Sequence, residues 1–196
     1  MIDYFALLDQ PRAPWLDPVR LKEKYHEKTL RTHPDTQTDR RTADNPADSF
    51  ARLNEAYQVL QDPKRRLHYL LSLEGCAPSP GDQTIPSQLQ DLFPRVATVT
   101  ERGHALLEKL DRASNSLSRS LLKTQILDVE SETKKVRQEI QDLSDTSLAE
   151  MCEINIAWAK NSAEQIEAVS NLYFAFAYLT RWSEQLDEMT FRLSLQ

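Results

Sequence analysis

Glycine is nearly missing from this chain, with 3 residues in 196. So few leave no room for a phosphate-cradling loop and argue against a sheet built on tight hairpins. Cysteine is scarcer still. Cys76 and Cys152 have no metal-ligand spacing and no neighbouring cysteine or histidine cluster, so they read as free thiols in a reducing compartment. No metal site and no cofactor is expected. No apolar run approaches the roughly 18 residues that a membrane span needs, so no membrane is expected as partner. Positive charge is not in excess either: 24 Lys and Arg face 30 Asp and Glu, a net charge of −6, which argues against nucleic acid as the principal partner. The N-terminal MIDYFALL enters folded-looking sequence at once, without a basic, acid-poor presequence, and the expected location is cytoplasmic. No acid–base pair, nucleophile elbow or cofactor loop stands out, so no catalytic residues and no enzymatic activity are expected.

What is there is helical. Tyr4, Phe5, Leu7 and Leu8 make one apolar turn, closed by Pro11 and Pro14. Asp17-Pro18 has the form of an N-cap followed by proline at the first helical position, and predicts a helix through about Arg31 with Leu21, Tyr25 and Thr29 facing the core. A polar loop follows over 34–46. A second long helix, about 48–61, carries Phe50, Leu53, Ala56, Tyr57 and Leu60 on one stripe. Asp62-Pro63 interrupts it, and KRRLHYLLSLEG forms a third helix, stopped by Gly75. The segment CAPSPGDQTIP is the clearest linker, and divides the chain into residues 1–75, a linker over 76–86 and a helical bundle over 87–196. Beyond the linker, helices are predicted over about 87–113 with a bend at Pro94, over about 116–143 with Leu121, Leu122, Ile126, Val129, Val136 and Ile140 apolar, and again after Asp145-Thr-Ser to about Leu193. The expected fold class is all-α, its second part an antiparallel three- or four-helix bundle.

Between the first two long helices stands LRTHPDTQ, Leu30 to Gln37. Proline fixes its own φ and keeps the preceding residue out of the αR region, so His33 and Asp35 are expected in one arrangement at an exposed corner. A fixed corner loses little entropy when a partner docks. Asp35 offers a carboxylate to a partner's arginine, a charge-assisted pairing. On the preceding helix Arg20, Lys24, Lys28 and Arg31 are spaced to share one side. Glu23 and Glu27 interleave with them, which also fits an ordinary salt-bridged face.

His33-Pro34-Asp35 followed by NEAYQVLQDPKRR, Asn54 to Arg66, resembles a J domain, the module that activates heat-shock-70 chaperones. The resemblance implies that two antiparallel helices present the tripeptide on the loop joining them. It also implies that the basic helix, through Arg20, Lys24, Lys28 and Arg31, meets an acidic face of the chaperone. A J domain usually carries an aromatic residue just before the tripeptide and an aliphatic one near position 28; Thr32 and Lys28 stand there here.

DYFALLDQP and Tyr69 to Gly75 resemble HscB, a co-chaperone family of iron–sulfur cluster assembly, which also has a short linker and a C-terminal helical bundle. The family docks an iron–sulfur scaffold through a Leu-Met and acidic cluster early in the first bundle helix. Here the corresponding IPSQLQDLFPRVATVTER holds Leu89, Leu92 and Phe93 with a single Glu101. These three are the candidate client-binding residues, although residues at this spacing are more often simply core. Three readings follow: a J-domain co-chaperone delivering an iron–sulfur scaffold, the same activity with an unrelated client, or a structural helical protein with an inert HPD.

Overall fold

Asp3 opens the first helix, α1 (Tyr4–Leu7), by accepting the amides of Phe5 and Ala6 at 3.0 and 3.3 Å. The computed structural model describes residues 2–32, 46–79, 85–113 and 115–195, and no strand occurs among them. Helix α2 (Pro18–Thr32) begins where Asp17-Pro18 predicts. The Asp17 carboxylate accepts the Val19 amide at 2.9 Å, and proline occupies the first position, where no helical N–H is needed. Helix α3 (Pro46–Gln61) is followed at once by α4 (Pro63–Leu73), whose N-cap Asp62 takes the Arg65 amide at 2.8 Å. Gly75 ends α4 at φ +75°, and the Cys76 amide returns to the Leu71 carbonyl at 2.9 Å, the left-handed closure for which glycine is suited.

The chain forms two compact units. The first takes in Met1–Asp82 and Glu150–Tyr173, the second Gln83–Ala149 and Phe174–Gln196. In the first unit Phe5, Leu8, Leu21, Leu53, Ala56, Leu60, Leu67, Leu70 and Leu71 are buried. Tyr25 of α2 stacks on Tyr57 of α3 with ring centroids 4.3 Å apart. Tyr69 stacks on Tyr4, donates its hydroxyl to the Ile2 carbonyl at 2.8 Å and accepts the Tyr4 amide at 3.1 Å, stapling the N-terminal segment to α4. Residues from late in the chain complete this unit. The Trp158 indole donates to the Arg12 carbonyl at 2.9 Å, and Asn155 Oδ1 accepts the Trp15 amide. Phe50, expected in the core, is 45% exposed. It stands one turn before Leu53, the first of the buried stripe Leu53, Ala56 and Leu60.

The second unit is built from three long helices: α5 (Leu92–Arg112), α6 (Ser116–Trp158) up to residue 149, and α7 (Ile166–Ser194) from residue 174. Their inward residues alternate in steps of four and three. Leu92, Val96, Val99, Gly103, Leu106 and Leu110 do so on α5, and Ala175, Leu179, Trp182, Leu186, Met189 and Leu193 on α7. On α6 the series passes through Val129, Thr133, Val136 and Ile140. That spacing keeps one stripe facing its neighbours over many turns. Buried Thr133 fits because its hydroxyl bonds back to the Val129 carbonyl at 2.7 Å. Arg95 pairs with Glu139, Arg102 with Glu132 and Lys109 with Gln125. Each step of seven along α5 is met by a step of seven back along α6, which is an antiparallel register.

Three expectations change here. Asp145-Thr-Ser does not restart a helix, because α6 runs unbroken through it. The Thr146 hydroxyl bonds the Asp142 carbonyl and Asp145 accepts from Gln141, so polar residues that favour caps are satisfied within the helix. Pro94 does not bend α5. It lies in the first turn, where a missing N–H costs no helical bond. Leu121 is 71% exposed rather than core, since the inward stripe passes through Leu122 and Ile126.

Gly103 occupies an inward position that its neighbours fill with Val99 and Leu106. A Cβ there would lie 2.8 Å from Met189 Cγ and closer still to its sulfur. Alanine gains about 1 kcal/mol over glycine in a helix interior, whereas overpacking a core costs about 1–3 kcal/mol. Met189 is 1% exposed and has little room to yield. Gly103→Ala is therefore expected to destabilise the protein by about 1 kcal/mol in denaturant titration. A gain of similar size would show that α5 and α7 do not need the small residue.

Candidate functional site

Of the residues singled out from sequence, the four basic ones lie on α2. His33, Pro34 and Asp35 lie outside the described residues, in the segment between Thr32 and Pro46. Arg20, Lys24, Lys28 and Arg31 all lie on α2. Arg20 and Arg31 are exposed, Lys24 and Lys28 half-exposed. Three of the four have acidic partners. Glu27 takes Lys24 at 2.9 Å and Arg31 at 2.7 Å, and Lys28 reaches Asp9 at 2.8 Å. Arg20 makes no ion pair among the described residues. Of the two interleaved acids flagged in the sequence, Glu27 is thus engaged. Lys24, by hydrogen bond and charge, and then Arg31 hold the Glu27 carboxyl below its ordinary range.

Asp9 is the residue that sequence reasoning missed. It sits at φ +51° in the turn after α1, a conformation that Asp and Asn tolerate better than other non-glycine residues. The hydrogen bond from Lys28 lowers its carboxyl pKa. An aspartate just before Gln10-Pro11 was the available signal for such a turn, but nothing local pointed to α2. Pairs this open to solvent are weak and are screened by salt. The face keeps its cations ordered and exchangeable.

Arg66, the last residue of NEAYQVLQDPKRR, is 4% exposed. Its Nε donates to the Pro14 carbonyl at 2.7 Å, Nη1 to the Leu60 carbonyl at the end of α3, and Nη2 approaches Met151 Sδ at 3.7 Å. Burial pulls its pKa down to about 10, so it stays charged at neutral pH. The guanidinium thereby ties α4, the end of α3 and the loop before α2 together, which sets the position of the basic helix.

The three candidate client residues do not form one surface. Leu89, in the short 3₁₀ turn Ser87–Leu89, is 0% exposed and Leu92 4%; both belong to the core of the second unit. Phe93 is 44% exposed and lies against Trp182 with ring centroids 6.2 Å apart. The inward stripe of α5 begins at Leu92 and turns that residue to the core, leaving only Phe93 outside. Among the described residues, no group of three or more His, Cys, Asp or Glu could hold a metal, and no helix is long and apolar enough to cross a membrane.

Residues 3–69 match the DnaJ domain family. The co-chaperone protein HscB of Proteus mirabilis is 38% identical over 76 residues, 38% of this chain and 44% of that protein. The HscB homolog of Vibrio cholerae is 37% identical over 89 residues, 43% of this chain and 50% of that protein. The chain thus spans about half the length of the curated relatives it matches. In fold the likeness extends further. The chaperone HscB from Vibrio cholerae superposes with a TM-score of 0.54 at 20% identity, covering 95% of this chain and 99% of that one. The human co-chaperone HscB gives the same TM-score and identity over 95% of this chain and 81% of its own. Capped helices, a stacked α2–α3 pair and these likenesses agree on a DnaJ domain over residues 3–69, within a chain whose fold is similar to that of HscB.

Proposed function

We propose that this chain is a co-chaperone that recruits a heat-shock-70 chaperone, stimulates its ATP hydrolysis and serves iron–sulfur cluster assembly. The observation that carries the reading is the DnaJ match over residues 3–69, a stretch whose sequence holds His33-Pro34-Asp35 directly after the basic residues of α2. The cations steer an acidic partner toward the loop, and Asp35 pairs with a partner arginine. The chemistry belongs to the chaperone; this chain supplies positioning. Residues 1–75 act as the J domain, 76–86 as a linker and 87–196 as the client-binding bundle.

The charge argument has a direct test. Stimulation of chaperone ATP turnover should weaken as salt rises, because exposed charges are screened over about 8–10 Å at physiological ionic strength. The Lys24→Glu, Arg31→Glu double variant should lower the association rate roughly tenfold at low salt and change dissociation less. Both side chains are solvent-accessible, so the fold should survive. A rate indifferent to salt and to these reversals would leave α2 as a solvated face only.

The iron–sulfur client rests on the HscB likeness, and Phe93 is the residue of the three that a scaffold can reach. Calorimetric titration of the cell's iron–sulfur scaffold should give a complex that Phe93→Ala weakens. Absence of binding by the unaltered protein would remove this client. The burial of Leu89 and Leu92, with a single Glu101 where the family has an acidic cluster, favours that second reading: the same J activity with another client.

A further inference from the structure

The first unit holds a groove that the J-domain reading does not use. Val59 of α3, Lys64, Arg65, His68 and Tyr69 of α4, and Tyr173 of α7 enclose about 260 Å³. Its walls are apolar and aromatic. Tyr69 is fixed by its stack on Tyr4 and its hydrogen bonds to Ile2 and Tyr4, and the His68 and Tyr173 rings lie 5.4 Å apart. Its rim is cationic. Lys64 and His68 are one helical turn apart and Arg65 lies beside them. Neither Lys64 nor Arg65 makes an ion pair among the described residues; Arg65 has only a 3.5 Å approach to the Gln58 carbonyl. No carboxylate lines the groove. Of the nearby acids, Asp62 caps α4, and Glu55 lies beside the Tyr4 hydroxyl. A patch with two permanent cations and an adjacent histidine, left without acidic partners in a chain of net charge −6, is complementary to an anion.

We propose that this groove binds an extended acidic peptide, seating one bulky apolar side chain on Val59, Tyr69 and Tyr173 while carboxylates on either side meet Lys64, Arg65 and His68. The small apolar floor selects a peptide over a nucleic acid, which would need a longer track of cations for successive phosphates. An acid two residues from the seated side chain lies on the same face of an extended peptide, about 6.6–7 Å away, a distance that the long Lys64 and Arg65 side chains can span. The proposal stands independently of the HPD loop and holds even if that loop proves inert.

The test is fluorescence anisotropy of the full chain with a labelled heptapeptide, Gly-Asp-Glu-Phe-Glu-Asp-Gly. Binding is expected with Kd on the order of 10–100 μM at low salt. A Gln/Asn version of the peptide should not bind, and a Ser-for-Phe version should bind at least about fivefold more weakly. The Lys64→Glu, Arg65→Glu variant should lose at least about tenfold, whereas Lys123→Glu on exposed α6 should match the unaltered protein. The milder Lys64→Gln, Arg65→Gln pair keeps the test decisive if charge reversal disturbs α4. No binding up to about 1 mM, affinity unchanged by both double variants, or equal affinity for a heptauridylate would each overturn the proposal.

Discussion

Asp35→Asn is expected to leave the chain folded and to lose stimulation of heat-shock-70 ATP turnover by roughly tenfold to a hundredfold in the concentration needed. Asparagine keeps the shape and removes the charge. A hydrogen bond to a charged group contributes about 1.5–3 kcal/mol, and each 1.4 kcal/mol is about tenfold in an equilibrium. His33→Gln should act in the same direction. The reason lies in the division of labour within this unit. Phe5, Leu21, Leu53, Leu60, Leu67 and Leu70 supply the core, and Asp3, Asp17 and Asp62 cap the helices. The core and caps among the described residues are thus complete without Asp35, so the substitution is expected to spare the fold. Single-turnover ATP hydrolysis with purified chaperone, beside far-ultraviolet circular dichroism of each variant, makes the measurement. Equal stimulation by Asp35→Asn and the unaltered chain would remove Asp35 from the site.

Local chemistry made much of this fold legible. Asp-Pro pairs at 17–18 and 62–63 announce helix starts because a carboxylate and a ring without an N–H both suit the first turn. Gly75 announces a stop because its backbone reaches φ +75° without strain. Periodicity was less decisive where a helix offers apolar residues on two sides. Leu121 and Leu122, or Leu92 and Phe93, differ by one position, and only the neighbouring helices decide which is buried. The length of α6 was hidden for a related reason. Asp145, Thr146 and Ser147 are cap-forming residues by composition, yet Thr146 bonds back along the helix and Ser147 is 2% exposed. Long-range partners left no local trace at all. Nothing near Lys28 names Asp9, and nothing near Arg12 names Trp158, 146 positions away. The basic residues of α2 could be listed from sequence; the acids that hold them could be listed only in part.

Arg66 gives the largest expected effect on stability. Two tendencies oppose each other there. A guanidinium that burial has pulled to about 10 has given up much of its hydration, and the nearby Asp62 charge offsets that loss only in part. Its donors, however, satisfy the buried carbonyls of Pro14 and Leu60. An acceptor left unpaired in the interior costs about 1–3 kcal/mol, and Arg66→Ala would strand two of them and open a void beside Met151. The stranded carbonyls and the void outweigh the recovered hydration, for a net loss of about 3 kcal/mol. Arg66→Lys should lose less, since an ammonium can serve one carbonyl but lacks the planar fork that reaches both. In a chain of this size 3 kcal/mol lowers Tm by roughly 6–12 °C. Stimulation of the chaperone should fall as well, because α2 is positioned through the Pro14 loop, and here the loss should track helicity as temperature rises. That separates it from Asp35→Asn, whose loss should be the same at every temperature below unfolding. Thermal denaturation of Arg66→Ala, Arg66→Lys and the unaltered chain decides the matter. Three coincident transitions would mean that Arg66 does not hold the unit together.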